Sequence, residues 1–304
     1  MIITKPGFIT QRILLLGRIE SCIYLIKGSD EYALLGGGMA NIIPDVLSQF
    51  EKFDIDERRI KRLFILHSHF DHVGTVAYFK KRMPWITVIA SRKTRDRFNQ
   101  PKALSTIIEY SKAVLAANGM EDKAQEYCLD VRSFVVDEVV SEGSVLTCGD
   151  LEMQILETPG HSSCSIAVYV PQEKALFASD AGGIPFGDTV FTAANSNYDL
   201  YQQSLEKMAA YDVEVHLAEH YGALTGQDGK SFVKRSIEIA KENRNTIEEI
   251  YARTMDEPET VAQVTDSIMQ QADGYFLPPD IMKMVIAQMI HYLVQHYPAD
   301  IQAH

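Results

Sequence analysis

Leu63-Phe64-Ile65-Leu66-His67-Ser68-His69-Phe70-Asp71-His72-Val73-Gly74 is the stretch on which the fold reading turns. A short, branched apolar run, bounded upstream by Lys61 and Arg62, ends in three histidines and an aspartate within six residues. Its brevity and branching read as a strand. Alternate side chains of an extended segment share a face, so His67 and His69 are expected to point together. Asp71 and His72 then fall where the chain turns into a helix predicted over 73–79. Two imidazoles on one side and a carboxylate–imidazole pair on the other suit two metal ions a few ångströms apart. A histidine-rich surface loop is the bland alternative, and so dense a cluster argues against it.

Upstream of that stretch, the spacing predicts antiparallel strands over 12–17, 22–27 and 32–35. Gly36-Gly37-Gly38 then opens a loop into a helix over 42–53, with Pro44 tolerated in its first turn. Downstream, a strand is expected over 86–90, a short helix over 93–98, and a helix over 102–118 marked by Leu104, Ile107, Ile108, Val114 and Leu115. With 121–130 this last helix reads as a helical insertion. A second β-rich half covers 135–140, 145–148, 151–157, 165–170 and 174–178. A helix over 198–210 and a last strand over 213–218 follow. Beyond 230 only helical periods appear: Val233, Ile237, Ala240, Ile247 and Ile250 mark the first, 259–271 the second and 279–297 the third. The chain therefore reads as a β-rich body over 1–228 and an all-helical tail over 229–304.

Three later places share the grammar of the opening stretch. The run 151–157 leads into Thr158-Pro159-Gly160-His161, the run 174–179 ends at Asp180 before Ala181-Gly182-Gly183, and 213–219 ends at His220 before Tyr221-Gly222. Each β-run delivers one ligand-type residue to the start of a glycine-containing loop, and strand ends hold several side chains convergent and rigid. Taken singly, each is a turn Asp or a capping His; four in this order point to one site.

The 304 residues are 46% hydrophobic and 23% charged, ordinary for a globular chain large enough to bury a sizeable core. A formal charge of -12 leaves no broad basic face, which argues against nucleic acid or an anionic membrane as partner. A local basic patch of Lys80, Lys81, Arg82, Arg92, Lys93, Arg95 and Arg97 reads first as a solvated face, and second as help in holding an anionic substrate. Cys22, Cys128, Cys148 and Cys164 are scattered without a Cys-X-X-Cys pair, which is no disulfide framework. Cys164 reads as a small buried residue rather than a soft ligand. With neither a signal-peptide pattern nor a run of membrane-spanning length, the expected location is cytoplasmic.

The series His-X-His-X-Asp-His followed by a distant His, Asp and His resembles the metallo-β-lactamase superfamily over roughly 12–228. The resemblance implies an αββα four-layer sandwich, an α/β fold, here with a C-terminal helical extension. It also implies two divalent ions. His67, His69 and His161 would hold the first, Asp71, His72 and His220 the second, and Asp180 would bridge them. Asp180 stands where the commonest true β-lactamases place Cys, and Phe70 where flavodiiron oxidases place Glu. The pattern is that of the glyoxalase-II, lactonase and phosphodiesterase branches, and the layout with its helical tail is similar to the quinolone-signal response protein and related bacterial thioesterase-like proteins.

Five imidazoles and two carboxylates, with no thiolate, suit zinc, iron or manganese. A water bridging the ions would be the nucleophile, with Asp71 the first candidate to orient it. The expected activity is hydrolysis of a small thioester, ester or phosphodiester. A lactonase is one alternative, although Ala181-Gly182-Gly183-Ile184 stands where those enzymes carry a tyrosine and the next is Tyr198. A metal-bearing regulatory protein is another. His216, His291, His296 and His304 are expected to be packing or surface residues. In the tail, Ile281, Val285, Met289 and Leu293 form an apolar stripe that must be covered. It fits packing on the flank, a homodimer contact, or a roof over the cleft in which Tyr275, Phe276 and Met282 touch the substrate.

Overall fold

The computed structural model describes residues 1–131, 134–271 and 274–296. Asp273 of the expected turn, Tyr297 at the expected helix end and His304 lie outside the described residues. Strands β1 (Ile2–Ile3), β2 (Gly7–Phe8), β3 (Ile13–Arg18), β4 (Ser21–Lys27) and β5 (Tyr32–Leu35) open the chain. β6 (Ile60–Phe64), β7 (Thr87–Ser91) and β8 (Glu138–Val140) complete a sheet in which β2 to β8 lie in sequence order. Pairing is antiparallel from β2 to β5 and parallel from β5 to β8. Parallel neighbours need crossovers, and helices α1 (Ile43–Lys52), α2 (Val76–Arg82), α3 (Arg92–Phe98) and α4 (Pro101–Ala117) lie in those connections. Ser91 Oγ caps α3 by accepting from Thr94 N at 3.2 Å.

The second sheet contains β9 (Val145–Cys148), β10 (Leu151–Glu157), β11 (Ile166–Val170) and β12 (Ala175–Phe177). After the hairpin β13 (Ile184–Phe186) and β14 (Thr189–Phe191), helix α5 (Tyr198–Ala209) leads into β15 (Val215–Leu217) and β16 (Ala223–Thr225). The sheet order is β1-β16-β15-β12-β11-β10-β9, so the chain's first residues form its edge. The tail is α6 (Gly226–Thr254), α7 (Glu257–Gln271) and α8 (Pro279–Gln295).

Alternation divides the sandwich into layers. On β3, Ile13 and Leu15 face the second sheet and meet Met153, Ile155, Val168 and Phe177, while Leu14 and Leu16 face outward onto Val46 and Phe50 of α1. The outer face of the second sheet buries Leu156, Ala167 and Leu176 with Tyr198, Tyr201 and Leu205 of α5 in a cluster that extends through all three tail helices. Helices thus cover both outer faces of two stacked sheets, the four-layer arrangement expected above. Among the described residues no helix is long and apolar enough to cross a membrane.

Several local expectations fail for identifiable reasons. The helix expected over 121–130 is only a 3-10 turn, Glu121–Lys123, because Cys128 takes a left-handed backbone (φ 61°) that turns buried Tyr127 and Leu129 onto Ile43 and Leu115. β1, β16 and the hairpin β13–β14 were not expected, since two or three residues carry no legible period. The helix after the opening motif starts at Val76 rather than 73, once His72 and Gly74 have turned the chain.

Candidate metal centre

β6 ends at Phe64, so His67 and His69 stand in a loop beyond it rather than on alternating strand positions. The strand argument for their common direction therefore does not apply, yet the two rings converge. They do so with different nitrogens: His161 Nε2 lies 3.3 Å from His67 Nε2 and 3.0 Å from His69 Nδ1. A 3-10 turn, Phe70–His72, carries Asp71 and His72, and Gly37 N donates to His72 O at 3.0 Å. A Cβ on Gly37 would sit 2.5 Å from that carbonyl, so the glycine loop lets the turn close against it.

The other donors come from the loops after β10, β12 and β15. Asp180 sits between two groups of ring nitrogens. Its Oδ2 is 3.5 Å from His161 Nε2 and 3.2 Å from His72 Nε2, and its Oδ1 is 3.7 Å from His220 Nε2. Asp71 Oδ2 lies 3.5 Å from both His72 Nε2 and His220 Nε2, which are themselves 3.1 Å apart. His67, His69 and His161 form one cluster of donor atoms, and Asp71, His72 and His220 another. Ser179 before Asp180 (φ 50°) and Tyr221 after His220 (φ 60°) take left-handed conformations that aim those neighbours inward.

Outer contacts fix the rings. His161 Nδ1 donates to Ala193 O at 2.8 Å, and His220 Nδ1 to Glu20 O at 2.7 Å, which leaves each Nε2 lone pair facing the cluster. Burial and the neighbouring imidazoles hold His67 far below the ordinary histidine range, and burial with His161 brings His69 down to about 3. These rings stay neutral and able to ligate. Burial alone would raise the Asp180 and Asp71 carboxyls, but His72 and His220 more than reverse this and keep both ionised. Burial opposes a proton on His72, and Asp180, Glu219 and Asp71 outweigh it.

The donor set fits two divalent cations. Ring nitrogens face one another at hydrogen-bond distance, and buried Asp180 Oδ1 has no hydrogen-bond partner among the described residues. Cations would satisfy both features at once. Cys164 is engaged elsewhere, its sulfur 3.2 Å from Ser68 Oγ and 3.3 Å from Ser162 Oγ.

The cluster lies at one end of a cavity of about 590 Å³. His69, Asp71, His161, Asp180 and His220 line it, as do Tyr275, Phe276 and Met282. Phe276 stacks on the His220 ring with centroids 4.3 Å apart, and its N–H donates to Tyr221 Oη at 2.9 Å. Of the apolar stripe on α8, Met289 and Leu293 are buried, while Ile281 and Val285 turn to the cavity and Met282, Ile286 and Ile290 take over the buried seam. Three of the seven basic-patch residues are paired, Lys80 with Asp137, Arg82 with Glu57 and Arg95 with Asp96, and Arg97 lines the cavity. Asn195, unforeseen in the sequence, lines it too, with a buried Oδ1 that has no partner among the described residues. His216 is fully buried against Phe232, with ring centroids 4.4 Å apart, and is a packing residue. His291, on the surface, faces Glu257 at 3.0 Å.

Comparisons with known proteins agree with this geometry. A family model described as the metallo-beta-lactamase superfamily matches residues 17–220. A hydroxyacylglutathione hydrolase of Rhodopseudomonas palustris (strain ATCC BAA-98 / CGA009) is 25% identical over 195 residues, 62% of this chain and 59% of that protein. An acyl-coenzyme A thioesterase, MBLAC2 of Gallus gallus, is 24% identical over 163 residues, 52% of this chain and 56% of that protein. The chain thus spans less than two thirds of these curated relatives. A metallo-beta-lactamase family protein from Thermus thermophilus superposes with a TM-score of 0.66 at 18% identity, covering 95% of each chain, a likeness of fold alone.

Proposed function

Since the chain belongs to the metallo-beta-lactamase superfamily, we propose that it is a dinuclear metal-dependent hydrolase of small acyl thioesters. The observation that carries this reading is the convergence of seven donor residues from four loops, among them Asp180, whose oxygens reach both clusters. His67, His69 and His161 would hold one ion, Asp71, His72 and His220 the other, and Asp180 both. Zinc, iron and manganese all suit such a set. Bound there, the ions would supply Lewis acidity toward a carbonyl oxygen and a water acidic enough to attack near neutral pH.

The chain's own groups do the rest. Asp71, kept ionised by its neighbours, accepts a hydrogen bond from the attacking water and orients it. Burial, and then the charges of Asp180 and Asp71, keep the Tyr275 phenol protonated, so in the cavity it serves as a donor. A thiolate leaves without a general acid, which favours a thioester over a substrate with a poorer leaving group. Met282, Val285 and Ile268 offer the acyl part an apolar wall. The two curated relatives, by name, act on an acylglutathione and on acyl-coenzyme A, which supports the thioester class.

Elemental analysis beside a substrate panel tests the proposal. Protein purified without chelator should carry close to two transition-metal ions per chain. It should cleave acyl-coenzyme A or acylglutathione well above penicillin and RNA, with aryl esters and activated phosphodiesters as the competing classes. A chain that takes up no zinc, iron or manganese, or one that turns over penicillin while thioesters stay intact, would overturn it.

A further inference from the structure

Glu219, the residue before His220, is buried with its carboxylate within 4.8 Å of a nitrogen of each of two site histidines that belong to different clusters. Its Oε2 lies 3.0 Å from His72 Nδ1, at ion-pair distance without the alignment of a hydrogen bond, and it also accepts a short hydrogen bond from the Ser179 hydroxyl. Ser179 Oγ in turn lies 3.1 Å from His67 Nδ1. These contacts have one consistent set of protons. His67 Nδ1–H donates to Ser179 Oγ, Ser179 O–H donates to Glu219 Oε2, and His72 Nδ1–H faces the same oxygen. Both histidines are then fixed with Nδ1 protonated and Nε2 turned to the cluster, where those atoms are in fact found.

We infer that Glu219 is the shared positioning residue of both metal sites, acting directly on His72 and through Ser179 on His67. It stands on the Nδ1 side of both rings, away from the converging Nε2 atoms, so it orients ligands rather than binding an ion. Two features of the backbone are explained by this role. Ser179 holds a left-handed conformation (φ 50°), unusual for a side-chain-bearing residue, and so brings its hydroxyl between His67 and Glu219. Gly36 (φ 89°) leaves room for the carboxylate, since a Cβ there would lie 2.3 Å from Glu219 Oε1. That oxygen has no hydrogen-bond partner among the described residues, so the carboxylate is retained at a desolvation cost that packing alone does not justify.

The inference rests on the two-metal reading above, and the test separates the two. Zinc affinity is measured by competition with a chromophoric chelator on wild type, Glu219→Gln, Ser179→Ala and Gly36→Ala, alongside melting of the metal-free proteins. Removing an outer partner of a ligating histidine typically weakens metal binding about 10- to 100-fold. Glu219→Gln should therefore weaken both zinc ions by about that factor. Ser179→Ala, which cuts only the branch to His67, should weaken one ion and spare the other. Gly36→Ala should resemble Glu219→Gln, because it displaces the carboxylate without altering it. A residue that merely supported the fold would lower both affinities only in step with metal-free stability, in Ser179→Ala as in Glu219→Gln, and that result overturns the inference. So does a Glu219→Gln protein that binds both ions as tightly as wild type does. If Glu219→Gln does not fold, equal weakening of both ions in Ser179→Ala overturns it by itself. A wild-type protein that takes up no zinc overturns the metal reading, and this inference with it.

Discussion

Asp180 is the residue on which the two halves of the site depend, because its two oxygens approach nitrogens of both clusters. Asp180→Ala should leave at most one tightly held ion and lower turnover by several orders of magnitude, read by elemental analysis and thioester hydrolysis on one preparation. Two ions retained with full activity would remove Asp180 from the site. His216 makes a separate prediction. Burial alone pushes its pKa down to about 3, and neither ring nitrogen has a partner among the described residues. Folded His216 stays neutral while the unfolded chain takes up a proton below about pH 6.5. Its neutral form therefore stabilises the fold fully above that pH, and the contribution is lost as pH falls toward 3. In metal-free protein, His216→Leu should flatten the decline in unfolding free energy from pH 6.5 to 4.5 by up to about 1.4 kcal/mol per pH unit. An unchanged slope in urea titrations at the two pH values would show that the ring is protonated in the fold. The clustering of these seven side chains was legible in the sequence because each is a ligand-type residue in the loop that follows a β-run. Glu219 and Ser179 were not, since a carboxylate beside His220 and a serine beside Asp180 become partners only when the loops after β12 and β15 meet behind the rings.

At the scale of elements, strands and long helices were legible and the joints between them were not. Short apolar runs bounded by turn residues marked β3, β4 and β5, and the 3.6-residue period, repeated often enough to register, marked α4 and α6. The loop after β6 was read as strand because nothing in its composition announces the end of pairing at Phe64. On α8 the buried seam is displaced by one residue from the expected stripe, so that Met282 is buried and also lines the cavity. A helix that packs on one side and lines a cavity on the other carries apolar residues on both, and sequence cannot divide them. Met282→Ala should therefore enlarge the acyl end of the cavity and shift relative rates toward longer or branched acyl thioesters. Metal content should stay at its wild-type value, and stability should fall by about 2–5 kcal/mol. The check is the ratio of kcat/KM values across an acyl-chain series, and an unaltered ratio would place the acyl group elsewhere.

At the scale of the whole molecule, the tail is part of the body's packing. Val233, Ala240 and Ile247 of α6 and Ile286, Met289, Ile290 and Leu293 of α8 share one buried cluster with Tyr198, Tyr201 and Leu205 of α5 and with Leu156 and Leu176 of the second sheet. Polar ties run the same way: Tyr198 Oη donates to Ala240 O at 2.9 Å, Tyr292 Oη to Asp199 Oδ2 at 3.0 Å, and Arg244 Nη1 to Asp199 Oδ1 at 2.6 Å. Ser236 Oγ donates to Gly182 O at 2.9 Å, two residues beyond Asp180, so α6 also braces the turn that carries the Asp180 carboxylate. Fully burying one such apolar side chain is worth about 1.5–3 kcal/mol. The six larger tail residues named above therefore contribute on the order of 10–20 kcal/mol as an upper bound, comparable to the net stability of an entire domain. A chain ending at residue 229 should accordingly lose cooperative folding: it should enter inclusion bodies or, if solubilised, bind a hydrophobic dye and melt without a sharp transition. A chain ending at residue 256 keeps α6 and its contacts with Tyr198 and Gly182 but uncovers the side facing α8, so it should be soluble only at low concentration and less stable than the full chain. Both are read by the soluble fraction on expression and by thermal denaturation. A soluble, cooperatively melting 1–229 fragment that still takes up two zinc ions would show that the sandwich and its metal centre stand without the tail.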